Sequence, residues 1–356
     1  MLYPPLTITS PDMPTHVAPP GNMFMKAALI RSVGKPDVIE WAEVPKPTAG
    51  KGQVLVRTEA VAVNPIDTYI RSGIVKATLP DPFIIGCDIA GVVEAVGPGV
   101  VRLSVGDRVW GSNQGQLGRQ GTFAEWCAID EQWLYPTPTG VSSESAAAGS
   151  LVGITAHLGL FLHGGLQAGE VVFVNGGTGG VGSAVVQLAR AAGATVITTA
   201  GSREKAAQCL QLGATHVIEY KTQDLDKRFT EITSSTGPIH LWFETLRTQT
   251  LERTISLMAL RGRIILMAGR DARPEFPVGP FYVKDLRAIG FAMFNASADE
   301  QRAAALQLNA ALADGQYKPL IGVTRPLSDA AQAHQLQEDN TLNSAGTLSG
   351  KIVLKA

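Results

Sequence analysis

The run Gly177-Thr178-Gly179-Gly180-Val181-Gly182 places glycines at the first, third and sixth positions of a G-x-G-x-x-G pattern. Glycine serves three ends there: no Cβ blocks the tight turn, backbone N–H groups can approach a pyrophosphate, and helix can pack closely on strand. An apolar run over 171–175 precedes the pattern and a helical run over 183–192 follows it. A helix N-terminus in that place attracts phosphate. Gly177, Gly179, Gly180, Val181 and Gly182 are therefore candidate contacts to a dinucleotide, against the alternative of a bare structural turn.

The strand that follows decides which dinucleotide. An NAD site usually sets Asp or Glu about 20 residues beyond the loop, where the carboxylate takes the ribose hydroxyls. Here Thr198-Thr199-Ala200-Gly201-Ser202-Arg203-Glu204-Lys205 has no acid at the strand end. A small hydroxyl residue followed by Arg203 and Lys205 suits a 2′-phosphate, and so NADPH. The alternative is that the two cations solvate a helix's first turn, where they oppose its dipole.

A second polar segment, Asn64-Pro65-Ile66-Asp67-Thr68-Tyr69, offers an amide, a carboxyl and a phenol. By residue type alone Asn64-Pro65 reads equally as a turn and Asp67 as a helix N-cap. The six histidines show no paired spacing, and His157 and His163 sit on an apolar helical stretch where a structural role is expected. Cys87, Cys127 and Cys209 are far apart with no C-x-x-C pair. Neither a disulfide framework nor a thiolate zinc site is indicated, and a reducing cytoplasm is expected.

These residues need a scaffold, and the chain is long enough for about two domains at 356 residues. A net charge of −1 and the lack of an aromatic-basic motif argue against nucleic acid and anionic lipid as partners. Residues 1–24 are rich in proline and lack Lys and Arg, which reads as an extended arm rather than a targeting peptide. No window of about 18 apolar residues is expected to span a membrane. From 25 to 148 short β-rich runs alternate with Pro and Gly turns, as over 26–30, 53–62, 91–96 and 108–111. From 149 to 295 the texture changes to strands over 171–175, 195–200, 216–220, 239–245, 263–268 and 286–294, separated by helices. Six such runs predict a parallel doubly wound α/β sheet of the Rossmann kind. The segment 296–356 carries helices over 300–314 and 326–337 and ends on a strand over 351–354.

With the glycine loop and phosphate region in hand, the chain resembles the medium-chain dehydrogenase/reductase superfamily, and within it the zinc-free quinone oxidoreductases related to zeta-crystallin. Asn64 through Gly73 resembles that family's substrate-side signature, and Gly86-Cys87-Asp88-Ile89-Ala90-Gly91 its glycine-rich strand. Gly106-Asp107-Arg108-Val109 is shared more widely, and the ending Gly350-Lys351-Ile352-Val353-Leu354 is similar too. The resemblance implies a β-rich GroES-like catalytic domain, over 25–148 and 296–356, beside a Rossmann domain over 149–295. It implies NADPH held at Gly201, Ser202, Lys205 and Tyr220, with Thr155 near the nicotinamide and Thr245 and Gly269 as further cofactor contacts. A catalytic zinc in this superfamily would need Cys where Asn64 stands, His where Cys87 stands and a third ligand near Thr155, so no metal is expected.

The activity so implied is hydride transfer from NADPH to a quinone. A quinone accepts hydride without a metal or strong acid, and positioning in a water-excluding cleft carries the rate. Asn64, as hydrogen-bond donor, Asp67 and Tyr69 are the candidate walls of that cleft. An enone or enoyl reductase on the same scaffold is the alternative, with Tyr69 as proton donor; a non-catalytic, NADPH-responsive RNA-binding protein is a further one. The run over 286–294 has no βα unit after it and should form an apolar sheet edge, and a homodimer joined there is expected.

Overall fold

The computed structural model describes residues 23–356. The proline-rich arm expected over 1–24 thus lies almost wholly outside the described residues, and its last position, Phe24, already opens the strand Phe24–Ile30.

Six strands form one wholly parallel sheet. Across it they run His216–Glu219, Thr195–Ala200, Val171–Val174, Ile239–Glu244, Met258–Leu266 and Arg287–Gly290. In chain order this is 3-2-1-4-5-6, so the winding reverses between the first and fourth strands and leaves a crevice at their carboxyl ends. The first strand is buried on both faces: Val172 and Val174 join one apolar cluster, Val171 and Phe173 another. That is why it reads as a continuous apolar run and not as an alternation.

Two boundaries differ from the expected ones. The fifth strand starts at Met258, because a register shift between Ile239 and Leu241 lets the residues before Arg263 join the sheet. The sixth stops at Gly290, short of 294. Phe291 turns away to stack on His163 at 4.7 Å and Met293 is buried in the main core, so the apolar residues expected on the edge line the interior.

The remaining strands form two further sheets of three and seven strands. The long strand Gln53–Val63 organises the larger one, pairing antiparallel with Ile89–Val96, Trp126–Asp130 and Lys351–Lys355. Ile352 lies opposite Val63, which sets Lys351 beside Asn64 at the strand's exit. A 21-residue helical run, Ser143–His163, joins the two halves of the chain. It is long and apolar enough to cross a membrane, contrary to the expectation of no such window, but 78% of its apolar window is buried within the protein. It is a core helix that reaches solvent near its ends, as at the half-exposed Leu162.

Candidate functional site

A cleft of about 1450 Å³ runs along the carboxyl ends of the parallel strands and reaches the helix Pro65–Ser72. Its wall includes Asn64, Tyr69, Thr155, Gly179, Gly180, Val181, Gly182, Gly201, Lys205, Tyr220, Thr245 and Gly269. Twelve candidate residues scattered over two hundred positions of sequence are thereby brought to one surface. Three others stand behind it. Gly177 backs onto Thr198 and Cys209, where a Cβ would come within 2.6 Å of Thr198 Oγ1. Ser202 caps the helix Arg203–Gln211, its hydroxyl accepting from the Lys205 N–H at 3.3 Å. Asp67 is buried, at 2% exposure.

The dinucleotide half is built by exclusion of side chains. After Val174 the chain turns through Gly176 at φ +63°, a conformation glycine adopts without cost, and enters the helix Gly180–Ala191. The Gly176 and Gly177 N–H groups donate to Thr199 Oγ1 and O, at 2.9 and 3.1 Å, which ties the loop to the second strand. The helix N-terminus borders the cleft, where a Cβ at Gly180 would press on Val152 Cγ1 at 3.0 Å and Lys351 Cδ at 3.3 Å. This surface fits a pyrophosphate. At the next strand end Gly201 lies under the Tyr220 hydroxyl, with space for a Cβ only at 2.8 Å from that oxygen. Lys205 Nζ donates to Gly346 O and Leu348 O at 2.7 and 2.8 Å, so it holds the 346–348 loop against this end of the cleft. Thr245 is a clamp, donating to Asn175 O at 3.0 Å. Beside it the buried Glu244 accepts from Asn175 Nδ2 and the Leu246 N–H, at 2.9 and 2.8 Å, fixing the ends of the two central strands.

The opposite end is a buried polar cluster. Asn64 Nδ2 donates to Asp88 Oδ2 at 2.8 Å and to Ala62 O at 3.2 Å, while its oxygen accepts from the Lys351 ammonium. Both amide hydrogens are used within the protein, so Asn64 links the cluster together and does not serve as the substrate donor expected of it. Lys351 Nζ also donates to Val63 O at 2.7 Å and lies 3.9 Å from Asp88 Oδ2. Burial pushes the Lys351 ammonium down and the Asp88 carboxyl up, and each group's charge offsets the other's shift. Asp67 does not form a wall of the cleft. It closes a capping box on the helix Pro65–Ser72, accepting the Asn64 N–H at 2.8 Å.

Burial raises the Asp67 carboxyl from 3.8 to about 7, against the lowering effect of the neighbouring Cys87 thiol. The folded state therefore holds a proton there that the unfolded chain gives up near pH 4, and this contribution to stability is lost as pH rises through about 7. Denaturant unfolding should show this contribution falling between about pH 4 and pH 7 and level above that, and Asp67→Asn should flatten that slope. An unchanged slope would refute the assignment.

Tyr69 is half-buried at the mouth on the substrate side, with burial raising its phenol above the ordinary range. The same cleft wall holds the apolar side chains of Ile66, Ile74, Val75, Leu117, Met267 and Phe291. The donor set at the floor does not suit zinc: Asn64 is engaged, the Lys351 cation occupies the cluster, and no three His, Cys, Asp or Glu side chains converge among the described residues.

Lys351, Asp88, Arg247 and Arg270 belong to this site or its support and were not singled out from sequence. Lys351 and Asp88 did leave a signal, one charge in each of two otherwise apolar runs.

Residues 50–139 match the alcohol dehydrogenase GroES-like domain and residues 180–310 the zinc-binding dehydrogenase domain, which sets the class as a dehydrogenase-type oxidoreductase. The quinone oxidoreductase of Rattus norvegicus is 34% identical over 94% of this chain and 98% of its own length. The 2-haloacrylate reductase of a Burkholderia species is 33% identical over 67% of this chain and 72% of its own. A solved structure of Escherichia coli quinone oxidoreductase complexed with NADPH superposes with a TM-score of 0.81 at 27% identity, covering 93% of this chain and 100% of that one. The chain belongs to the quinone oxidoreductase family of the medium-chain dehydrogenase/reductase superfamily.

Proposed function

We propose that this protein uses NADPH to reduce quinones by hydride transfer, without a metal. The observation that carries the reading is the pairing, in one cleft, of an acid-free strand end flanked by Lys205 and Tyr220 with an apolar mouth around Tyr69. When bound, NADPH supplies the hydride. The chain's own residues do the rest: the open N-terminus of Gly180–Ala191 takes the pyrophosphate, and Lys205 and Tyr220 take the 2′-phosphate. Ile66, Val75, Leu117 and Phe291 exclude water from a flat acceptor, and the Tyr69 phenol borders it as a weak hydrogen-bond donor. Lys351 and Asp88 hold Asn64 rigid beneath it.

A turnover panel of quinones and α,β-unsaturated ketones with NADPH and NADH, run beside metal analysis, tests this. Quinones should lead and activity should survive a chelator; enones leading by tenfold would favour the enone reductase instead, a reading that the haloacrylate-reducing relative supports. Lys205→Ala should weaken NADPH binding by roughly tenfold to a hundredfold, the worth of one charge-assisted contact of about 1.5 to 3 kcal/mol. NADH binding should weaken by much less, through the released 346–348 loop alone. Equal weakening, read by nucleotide fluorescence, would place the 2′-phosphate elsewhere.

The homodimer is proposed on residues other than those first expected. Val278, Tyr282 and Val283, 63 to 67% exposed, stand beside the edge strand Arg287–Gly290, an arrangement a second copy would cover. Sedimentation should give twice the 37.5 kDa chain mass, and Tyr282→Glu should halve it; a monomeric wild type at micromolar concentration would exclude the dimer.

A further inference from the structure

The substrate end of the cleft carries charge that reduction of a neutral ring leaves unused. The cleft wall holds Lys205, Lys351, Arg247, Arg270 and Arg273, against a single carboxylate, Asp271. Lys205 stands at the adenosine end, and Lys351 is engaged by Asn64, Val63 and Asp88. The three arginines remain. All are exposed, and none pairs with a carboxylate among the described residues; Arg273 donates only to Ala272 O at 2.7 Å.

The topology says which of them the cofactor's phosphates can use. The pyrophosphate belongs to the helix after the first strand and the 2′-phosphate to the end of the second. Arg247 follows the fourth strand and Arg270 the fifth, across the reversal of winding from both phosphates. The two guanidinium groups are near enough to Tyr69 for their field to oppose the rise that burial imposes on its phenol. A planar guanidinium is built for two-point binding of a carboxylate, and these two carry no carboxylate partner of their own among the described residues.

We infer that the acceptor reduced here carries a carboxylate, seated on Arg247 and Arg270 while its conjugated carbonyl lies against Tyr69. The inference rests on the reductase reading above and narrows it to anionic acceptors. The carboxylate takes no part in bond making. For a quinone, one hydride from NADPH and one proton from solvent give hydroquinone and NADP⁺, and the charge remains on the substituent that the arginines hold.

The test uses a 1,4-naphthoquinone bearing a short carboxylate side chain and its methyl ester, which share one ring and so one intrinsic reactivity. Wild-type kcat/KM should favour the acid by at least about tenfold at low salt, and Arg270→Gln or Arg247→Gln should bring the acid-to-ester ratio close to one. Calorimetric titration of the enzyme with NADP⁺ bound, using unreactive 2-naphthylacetate, should show binding that each variant weakens by about tenfold. NADPH affinity, read by fluorescence, should hold. A ratio near one in the wild type overturns the inference and leaves the reductase standing. NADPH affinity falling in the arginine variants overturns it too, by giving those residues to the cofactor. If neither quinone is reduced yet naphthylacetate binds through the arginines, the anion subsite stands and the quinone reading fails.

Discussion

Gly182→Ala should abolish dinucleotide binding, lowering affinity for NADPH and NADH alike by more than about a hundredfold, since the pyrophosphate contacts are common to both. A Cβ at this position would lie 2.2 Å from Gly176 O, 2.9 Å from Gly176 C and 3.1 Å from Asn175 O. All three are backbone atoms, so no side chain can rotate aside. Either the turn after Val174 or the first turn of Gly180–Ala191 must move, and the N–H groups aimed into the cleft lose their common target. Gly179 is the contrasting case, since its added carbon would meet only Gly176 O at 3.2 Å. Gly179→Ala should keep the melting temperature of the wild type while Gly182→Ala lowers it. Nucleotide fluorescence and thermal unfolding read both effects, and binding retained within threefold in Gly182→Ala would show that the loop yields where the geometry says it is rigid.

Lys351→Met should cost about 3 to 5 kcal/mol of unfolding free energy, the usual penalty for removing one partner of a buried charge pair. It strands Asp88, which is fully buried, and leaves Asn64 Oδ1 without its donor. Asp88 would keep the Leu151 N–H at 3.1 Å and the Asn64 amide at 2.8 Å, neither of which carries a full positive charge. The double variant Lys351→Met with Asp88→Asn should recover a large part of the loss, because it removes the uncompensated charge and retains a hydrogen-bonding side chain. Denaturant titration of the single and double variants isolates the coupling. If the two losses simply add, the pair is not the electrostatic unit that its geometry describes.

What was legible in the sequence follows from how local each constraint is. The glycine loop could be read because the exclusion of Cβ atoms is written in residue identity within eight positions, between a strand and a helix that announce themselves. The alternation of strands and helices was equally plain, but its ends were not. Phe291 and Met293 look like the continuation of an apolar strand, yet they leave the sheet to cover the cleft, a choice made by His163 and the main core. Asp67 shows the same limit at shorter range: three residues after Asn64, a carboxyl suits both a cleft wall and a capping box, and burial decided for the box. The cluster of Asn64, Asp88 and Lys351 was out of reach, because its lysine and asparagine are 287 positions apart and meet only through antiparallel pairing of strands. Lys205 was recognised for its charge, whereas its grip on the carbonyls of 346 and 348 needed the fold.

That same strand, Lys351–Lys355, lies between Ile321–Pro326 and Gln53–Val63. In order of synthesis the site is therefore finished very late. A ribosome can deliver the whole parallel sheet and its glycine loop while Asp88 and Asn64 still wait, without a cation, for a residue 287 positions behind Asn64. Nucleotide-binding surface and acceptor floor are thus separated in time during translation. A chain stalled or clipped before Lys351 would lack both the cation beneath its acceptor site and the buried strand that pairs with Gln53–Val63.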